Sequence, residues 1–136
     1  MLAEVKTLQR TEKNTITLVI DSDTGTRYIR KELCGPHPIY AQLQALSHPY
    51  LPKIFHVEET RTGVVLIEGF IDGANLAEIT LPEKQVMVLM EELCEALVFL
   101  HDQGILHRDI KPSNLLLAAD GHIRLIDFDA AQEEKP

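Results

Sequence analysis

The sequence predicts an α+β fold in two parts, a strand-rich first half and a second half built around one long helix. Three observations predict it. Through residue 70 the apolar residues come in short β-rich runs, TITLVI (15–20), RYIRKEL (27–33), KIFHVEE (53–59) and GVVLIEG (63–69), separated by turn formers. From Val86 to Leu100 they recur instead at helical spacing. Beyond that helix a polar run, HRDIKPSN (107–114), precedes a second pair of apolar runs.

Each element follows from local chemistry. Asp21, Asp23 and Gly25 favour a turn, so 15–20 and 27–33 read as a hairpin. Ile39, Leu43 and Leu46 fall at helical spacing, and that pattern stops before Pro49. A second strand pair turns around Thr60–Gly63. FIDGAN (70–75) reads as a flexible linker, which divides the chain into lobes at 1–69 and 76–136. Thr80 and Glu83 fit a capping box with Pro82 in the first turn of the long helix. Val86, Leu89, Met90, Leu93, Leu97 and Leu100 form its apolar face, and Gly104 ends it near Gln103. NLLLAADGHIRLID reads as a hairpin turning at Asp120–Gly121.

Composition narrows the function. The 136 residues suffice for a real core, and the net charge of −8 argues against a surface built for nucleic acid or anionic lipid. MLAEVKTLQR has no apolar leader core and no run approaches a membrane span, so a cytoplasmic protein is expected. Cys34 and Cys94 have no metal-ligand spacing and read as reduced, buried thiols. His37, His48, His56, His101 and His122 are scattered without ligand spacing.

The chemistry lies in the polar loop and the hairpin. A loop aspartate, Asp109, can accept a proton from a substrate hydroxyl and orient it. Lys111 offers positive charge where a transferring phosphoryl group builds up negative charge. Asn114 and Asp127, thirteen residues apart, supply the hard oxygen ligands that Mg²⁺ prefers. Lys31 can neutralise nucleotide phosphates. This set describes metal-assisted phosphoryl transfer.

HRDIKPSN followed by Asp127-Phe128 resembles the catalytic and metal-binding loops of eukaryotic-type serine/threonine protein kinases. YIRK (28–31) resembles the strand carrying the ATP-phosphate lysine, LSHPYLPKI (46–54) the segment after the first helix, and LIEGFIDGANL (66–76) the hinge. FLHDQGILHRDIKPSNLLL (99–117) resembles the approach to the catalytic loop. The resemblance implies a protein-kinase-like bilobal fold with a truncated helical C-lobe, using ATP and Mg²⁺ to phosphorylate Ser/Thr hydroxyls. It implies Asp109 and Lys111 as catalytic residues and Asn114 and Asp127 as metal ligands. Lys31, Ile16, Ile29, Glu68, Phe70 and Leu116 would contact the nucleotide. Leu43, Ile54, His107 and Phe128 fall where the family stacks a spine, so His107 reads as packing rather than catalysis.

The chain departs from the family pattern in several places. Gln9, Thr11 and Asn14 stand where the phosphate-covering loop has glycines, so positive φ there would carry strain; Arg10 and Lys13 offer charge in compensation. The helix position that carries the lysine's Glu partner falls on Ile39, which leaves Lys31 less well held. Ile29 replaces the alanine that roofs adenine, and Asp129 replaces the glycine after Phe128. The chain stops nine residues after Asp127, so the helix 82–103 is expected to expose apolar surface that a second copy or a regulatory partner would cover. Two alternatives accompany the kinase reading: a pseudokinase-like binding module with weak or no nucleotide binding, and a kinase-like small-molecule phosphotransferase.

Overall fold

A computed structural model describes residues 1–134. The chain divides into two structural units, one of Met1–Leu46 with Lys53–Phe70, the other of Ser47–Pro52 with the chain from Ile71 onward. The predicted boundary drew one continuous first lobe. The structure instead gives Ser47–Pro52 to the second unit, where Leu125 N donates to Tyr50 O (2.9 Å) and the His48 ring packs on Phe99.

The first unit is an antiparallel sheet of β1 (Leu2–Arg10), β2 (Asn14–Asp21), β3 (Arg27–Cys34), β4 (Ile54–Glu59) and β5 (Gly63–Gly69), in the order β1-β2-β3-β5-β4. The two predicted hairpins are present. β1 was not singled out in the sequence, because all nine of its residues are exposed and it shows no buried alternation. Lys31, Leu33, Val64, Leu66 and Ile54 are buried along the sheet, with Ile39, Tyr40 and Leu43 of α1 (Ile39–Gln44). This helix ends earlier than its apolar spacing predicts: Ala45 and Leu46 close it through i→i−3 bonds to Gln42 O and Leu43 O, three residues before Pro49.

β3 and β5 approach closely at Gly63. A Cβ there would lie 1.8 Å from the main-chain oxygen of Leu33. Gly63→Ala is therefore expected to push the two strands apart and destabilise the protein by about 1–3 kcal/mol or more, read as a lower midpoint in a thermal melt.

From Ile71 onward the second unit opens with β6 (Gly73–Asn75), so half of the predicted linker is strand. It pairs with β8 (Leu115–Ala118), which in turn pairs with β9 (Ile123–Leu125), the predicted hairpin. Linker-like residues become ordered here because Ala119 N also donates to Asp72 O (2.8 Å). α2 (Glu83–Asp102) is the long helix. Its predicted capping box does not form. Pro82 is the N-cap, with extended ψ of 145°, and its carbonyl takes the first bonds from Gln85 N and Val86 N, so Thr80 lies outside the helix. Gly104, at φ +74°, supplies the left-handed residue just past the helix end. A short ladder of β7 (Ile105–Leu106) and β10 (Gln132–Glu133) follows.

α2 buries Leu89, Leu93, Ala96 and Leu100 but also Glu92, whereas Val86 of the predicted apolar face is 38% exposed, along with Met87, Val88 and Val98. The predicted exposed apolar surface is thus present, with a groove of about 400 Å³ among Leu81, Val86, Met90, Ile110 and Pro112. Both cysteines are exposed, which corrects their predicted burial. Cys34 alternates outward from buried Leu33 on β3, and Cys94 sits on the solvent side of α2 beside Glu95. Among the described residues no helix is long and apolar enough to cross a membrane.

Candidate active site

In the first unit, strand register brings four of the named residues onto one face of the sheet. Ile16 pairs with Lys31, and Ile29 pairs with Glu68. Residues paired across strands, and those two apart along a strand, share a face. Ile16, Ile29, Lys31 and Glu68 therefore sit together. Lys31 is 7% exposed, and its Nζ lies 3.5 Å from Glu68 Oε1. This corrects the expectation that Lys31 lacks an acidic partner: the carboxylate comes from β5 rather than from α1. Phe70, at the end of this unit, carries the Arg27 guanidinium 4.3 Å from its ring centroid.

The turn between β1 and β2 also corrects an expectation. Thr11 N donates to Asn14 O (2.8 Å) and Thr11 Oγ1 accepts from Asn14 N (3.0 Å), which closes the hairpin tightly. Among the described non-glycine residues, only Arg108 and Asp127 have positive φ. Thr11 and Asn14 thus carry none of the expected strain, because the turn is made by a hydroxyl-backbone motif instead of left-handed residues. Asp129 likewise has no positive φ. Its N–H donates to Asp127 Oδ1 (3.1 Å), so the glycine's freedom is not required there.

The second unit holds Asp109, Lys111, Asn114, Asp127 and Leu116. Asn114 is 6% exposed and ends a short 3-10 turn, Pro112–Asn114. Its Nδ2 donates both to Asp109 O (2.9 Å) and to Asp109 Oδ2 (3.0 Å). Asp109 is therefore held at main chain and side chain together. Lys111 Nζ lies 3.8 Å from Asp109 Oδ2, both half-exposed, so this pair places charge near the carboxylate while adding little stability.

His107 joins this loop to Asp127. It is buried, donates from Nε2 to Ile126 O (2.9 Å), and accepts at Nδ1 from Asp109 N (3.1 Å). Its ring meets Phe128 edge-on at 4.7 Å. Ile126 N in turn donates to Asn114 O (3.0 Å). The backbone on either side of Asp109 and Asp127 is thus cross-bonded, and the two residues with positive φ, Arg108 at 73° and Asp127 at 60°, are neighbours of these bonds. Left-handed backbone at non-glycine residues persists only where surroundings hold it, and it concentrates at functional sites. Leu116 lies across from Asn75 and Arg124 on β8.

Sequence reasoning missed one cluster. Buried Glu92 accepts from His122 Nδ1 (2.5 Å), from Ile123 N (3.0 Å) and from the Tyr50 hydroxyl. Burial pushes the Glu92 carboxyl up, but these three donors together hold it below its ordinary value. The hydrogen bond to Glu92, then its charge, raises His122. The available signal was an acid within the apolar stripe of α2.

A strand-rich first unit and a helical unit bearing a clamped aspartate, a lysine and an acidic turn define a kinase-like α+β protein. A sequence model of the protein kinase domain matches residues 38–136, more than half of the chain. The chain is 32% identical over 123 residues to sperm motility kinase 2B of Mus musculus, covering 85% of this chain and 25% of that protein. It is 36% identical over 99 residues to the mouse serine/threonine-protein kinase DCLK3 (66% and 12%). It is 27% identical over 126 residues to serine/threonine-protein kinase PknB of Mycobacterium leprae (81% and 20%). The chain belongs to the protein kinase domain family, and it spans about a quarter or less of the length of these relatives.

Proposed function

We propose that this chain carries the nucleotide- and metal-binding machinery of a protein serine/threonine kinase that transfers the γ-phosphoryl of ATP to Ser or Thr hydroxyls of protein substrates. The observation that supports it is the double hydrogen bond from Asn114 to Asp109, which presets a carboxylate for a hydroxyl group. A cytoplasmic setting goes with this reading, because ATP and protein hydroxyls meet there.

The residues fit Mg²⁺ chemically. With the Asn114 amide nitrogen committed to Asp109, its Oδ1 is the atom suited to ligate, and the Asp127 carboxylate is the second oxygen donor proposed. Among the described residues no cluster of three or more His, Cys, Asp or Glu forms a metal cage. Mg²⁺ commonly takes one or two protein oxygens and completes its shell with water and substrate phosphates. When bound, Mg²⁺-ATP supplies the phosphoryl group with its charge partly neutralised. The chain's own residues would then act as follows. Asp109 orients the hydroxyl and takes its proton, and Lys111 stabilises the charge that develops. Lys31 steadies phosphate oxygens, while Ile16, Ile29, Glu68, Phe70 and Leu116 contact the rest of the nucleotide.

A regulatory binding module with weak nucleotide affinity is the second reading. It is favoured by the turn at Thr11–Asn14, whose side chains and closed hydrogen bonding replace glycine amides that would approach phosphate. A thermal melt with and without Mg²⁺-ATP separates the two. An upward shift of several degrees, absent in Asp127→Asn, supports the kinase reading. A cooperative melt that Mg²⁺-ATP leaves unchanged supports the binding module.

A further inference from the structure

We infer that Glu68 is the positioning residue for Lys31, so that the central sheet itself holds the phosphate-directed lysine without a carboxylate from α1. The inference rests on the proposed role of Lys31 in nucleotide binding. Three observations carry it. α1, Ile39–Gln44, reads IYAQLQ and contains no acid. The Lys31 and Glu68 side chains are only 9% and 12% exposed, with 3.5 Å between Nζ and Oε1. Register sets Glu68 opposite Ile29, so that it lies diagonally from Lys31 on the face that also carries Ile16.

A buried ion pair seldom stabilises a fold more than apolar residues of the same volume, because both charges lose their water. Its presence in a sheet otherwise lined by Leu33, Val64 and Leu66 calls for a use other than stability. The chemistry offers one. A carboxylate keeps the ammonium protonated and limits its rotamers, which fixes where the positive charge sits for phosphate oxygens. A lysine held by two hydrogen-bonded strands keeps its setting whatever α1 does, because β3 and β5 are fixed to each other along seven residue pairs, Tyr28–Gly69 to Cys34–Gly63. In this protein the lysine would be permanently set rather than switched by a helix.

Two readouts test this, one of them independent of nucleotide. The first is the pH profile of Lys31 acylation by a small amine reagent, followed by peptide mass spectrometry. Glu68→Gln is expected to shift the Lys31 midpoint down by about one pH unit. An unmoved midpoint overturns the inference. Should Glu68→Gln fail to fold, Glu68→Asp takes its place: the shortened carboxylate is expected to lower the Lys31 midpoint, and a midpoint unchanged from the wild type overturns the inference. The second readout is affinity for Mg²⁺-ATP against adenosine. Glu68→Gln is expected to weaken Mg²⁺-ATP about tenfold more than it weakens adenosine. No further loss is expected in a Lys31→Met background. Equal losses for both ligands, or unchanged Mg²⁺-ATP binding, would show that Glu68 does not act through Lys31. If the wild type binds no Mg²⁺-ATP, the proposed function fails, and the acylation profile alone still decides the role of Glu68.

Discussion

Asp109→Asn is expected to reduce phosphoryl transfer by about 10²–10⁴-fold while leaving fold and nucleotide binding in place. The substitution preserves shape. An asparagine at 109 can turn its amide oxygen toward Asn114 Nδ2 and keep the 3.0 Å bond, and the main-chain bond from Asn114 is untouched. His107 Nδ1 still accepts the backbone N–H of residue 109. What disappears is the group able to take a proton, together with the negative charge 3.8 Å from Lys111 Nζ. The measurement is substrate phosphorylation alongside a thermal melt with Mg²⁺-ATP. Lost phosphorylation with an unchanged melt shift separates Asp109 from the metal ligands, since Asp127→Asn is expected to abolish the shift itself. Phosphorylation that survives Asp109→Asn would remove the assigned role.

The largest expected loss of stability in the second unit comes from Glu92. Glu92→Ala removes the acceptor for Ile123 N and for the His122 and Tyr50 side chains. Leaving the buried Ile123 N–H unsatisfied is expected to cost about 1–3 kcal/mol. Glu92→Gln keeps an oxygen for that N–H and is expected to cost less. The pair also makes stability depend on pH. Glu92 titrates below its ordinary 4.5 in the folded protein, so its contribution is complete above that value and is lost as pH falls through the folded pKa. His122 titrates above its ordinary 6.5, so its contribution is complete below 6.5 and fades as pH rises through the higher folded value. Wild-type stability from this pair therefore peaks between about pH 4.5 and 6.5. Denaturant melts across pH should show the wild type losing stability relative to Glu92→Gln on the alkaline side. Parallel profiles for the two proteins would mean that the histidine contributes nothing through this bond.

Much of the fold is legible in the sequence because its signals are local. Alternation with turn residues at Asp21–Gly25 and Asp120–Gly121 places the hairpins of β2–β3 and β8–β9, and 3.6-residue spacing with Gly104 places α2. The failures share a cause. Thr80 and Glu83 have capping-box spacing, yet the helix begins at Glu83 because Pro82 takes the N-cap position. FIDGAN has the composition of a linker, but β8 offers Gly73–Asn75 an edge to pair with. Cys34 and Cys94 belong to a usually buried residue type, yet each falls on the outward side of its element.

The site divides along the same line. Alternation and spacing by themselves determined most strand and helix types, while the motif order, through its resemblance to protein kinases, marked Lys31, Asp109, Lys111, Asn114 and Asp127 as candidates, all of which lie in short segments. Only the tertiary structure decided that Glu68 reaches Lys31, that Thr11 closes its turn without positive φ, and that Glu92 binds His122 and Ile123 across the second unit. Cross-strand register and burial are set by partners distant along the chain, and the carboxylate that a buried lysine or histidine finds depends on those partners rather than on its neighbours in sequence.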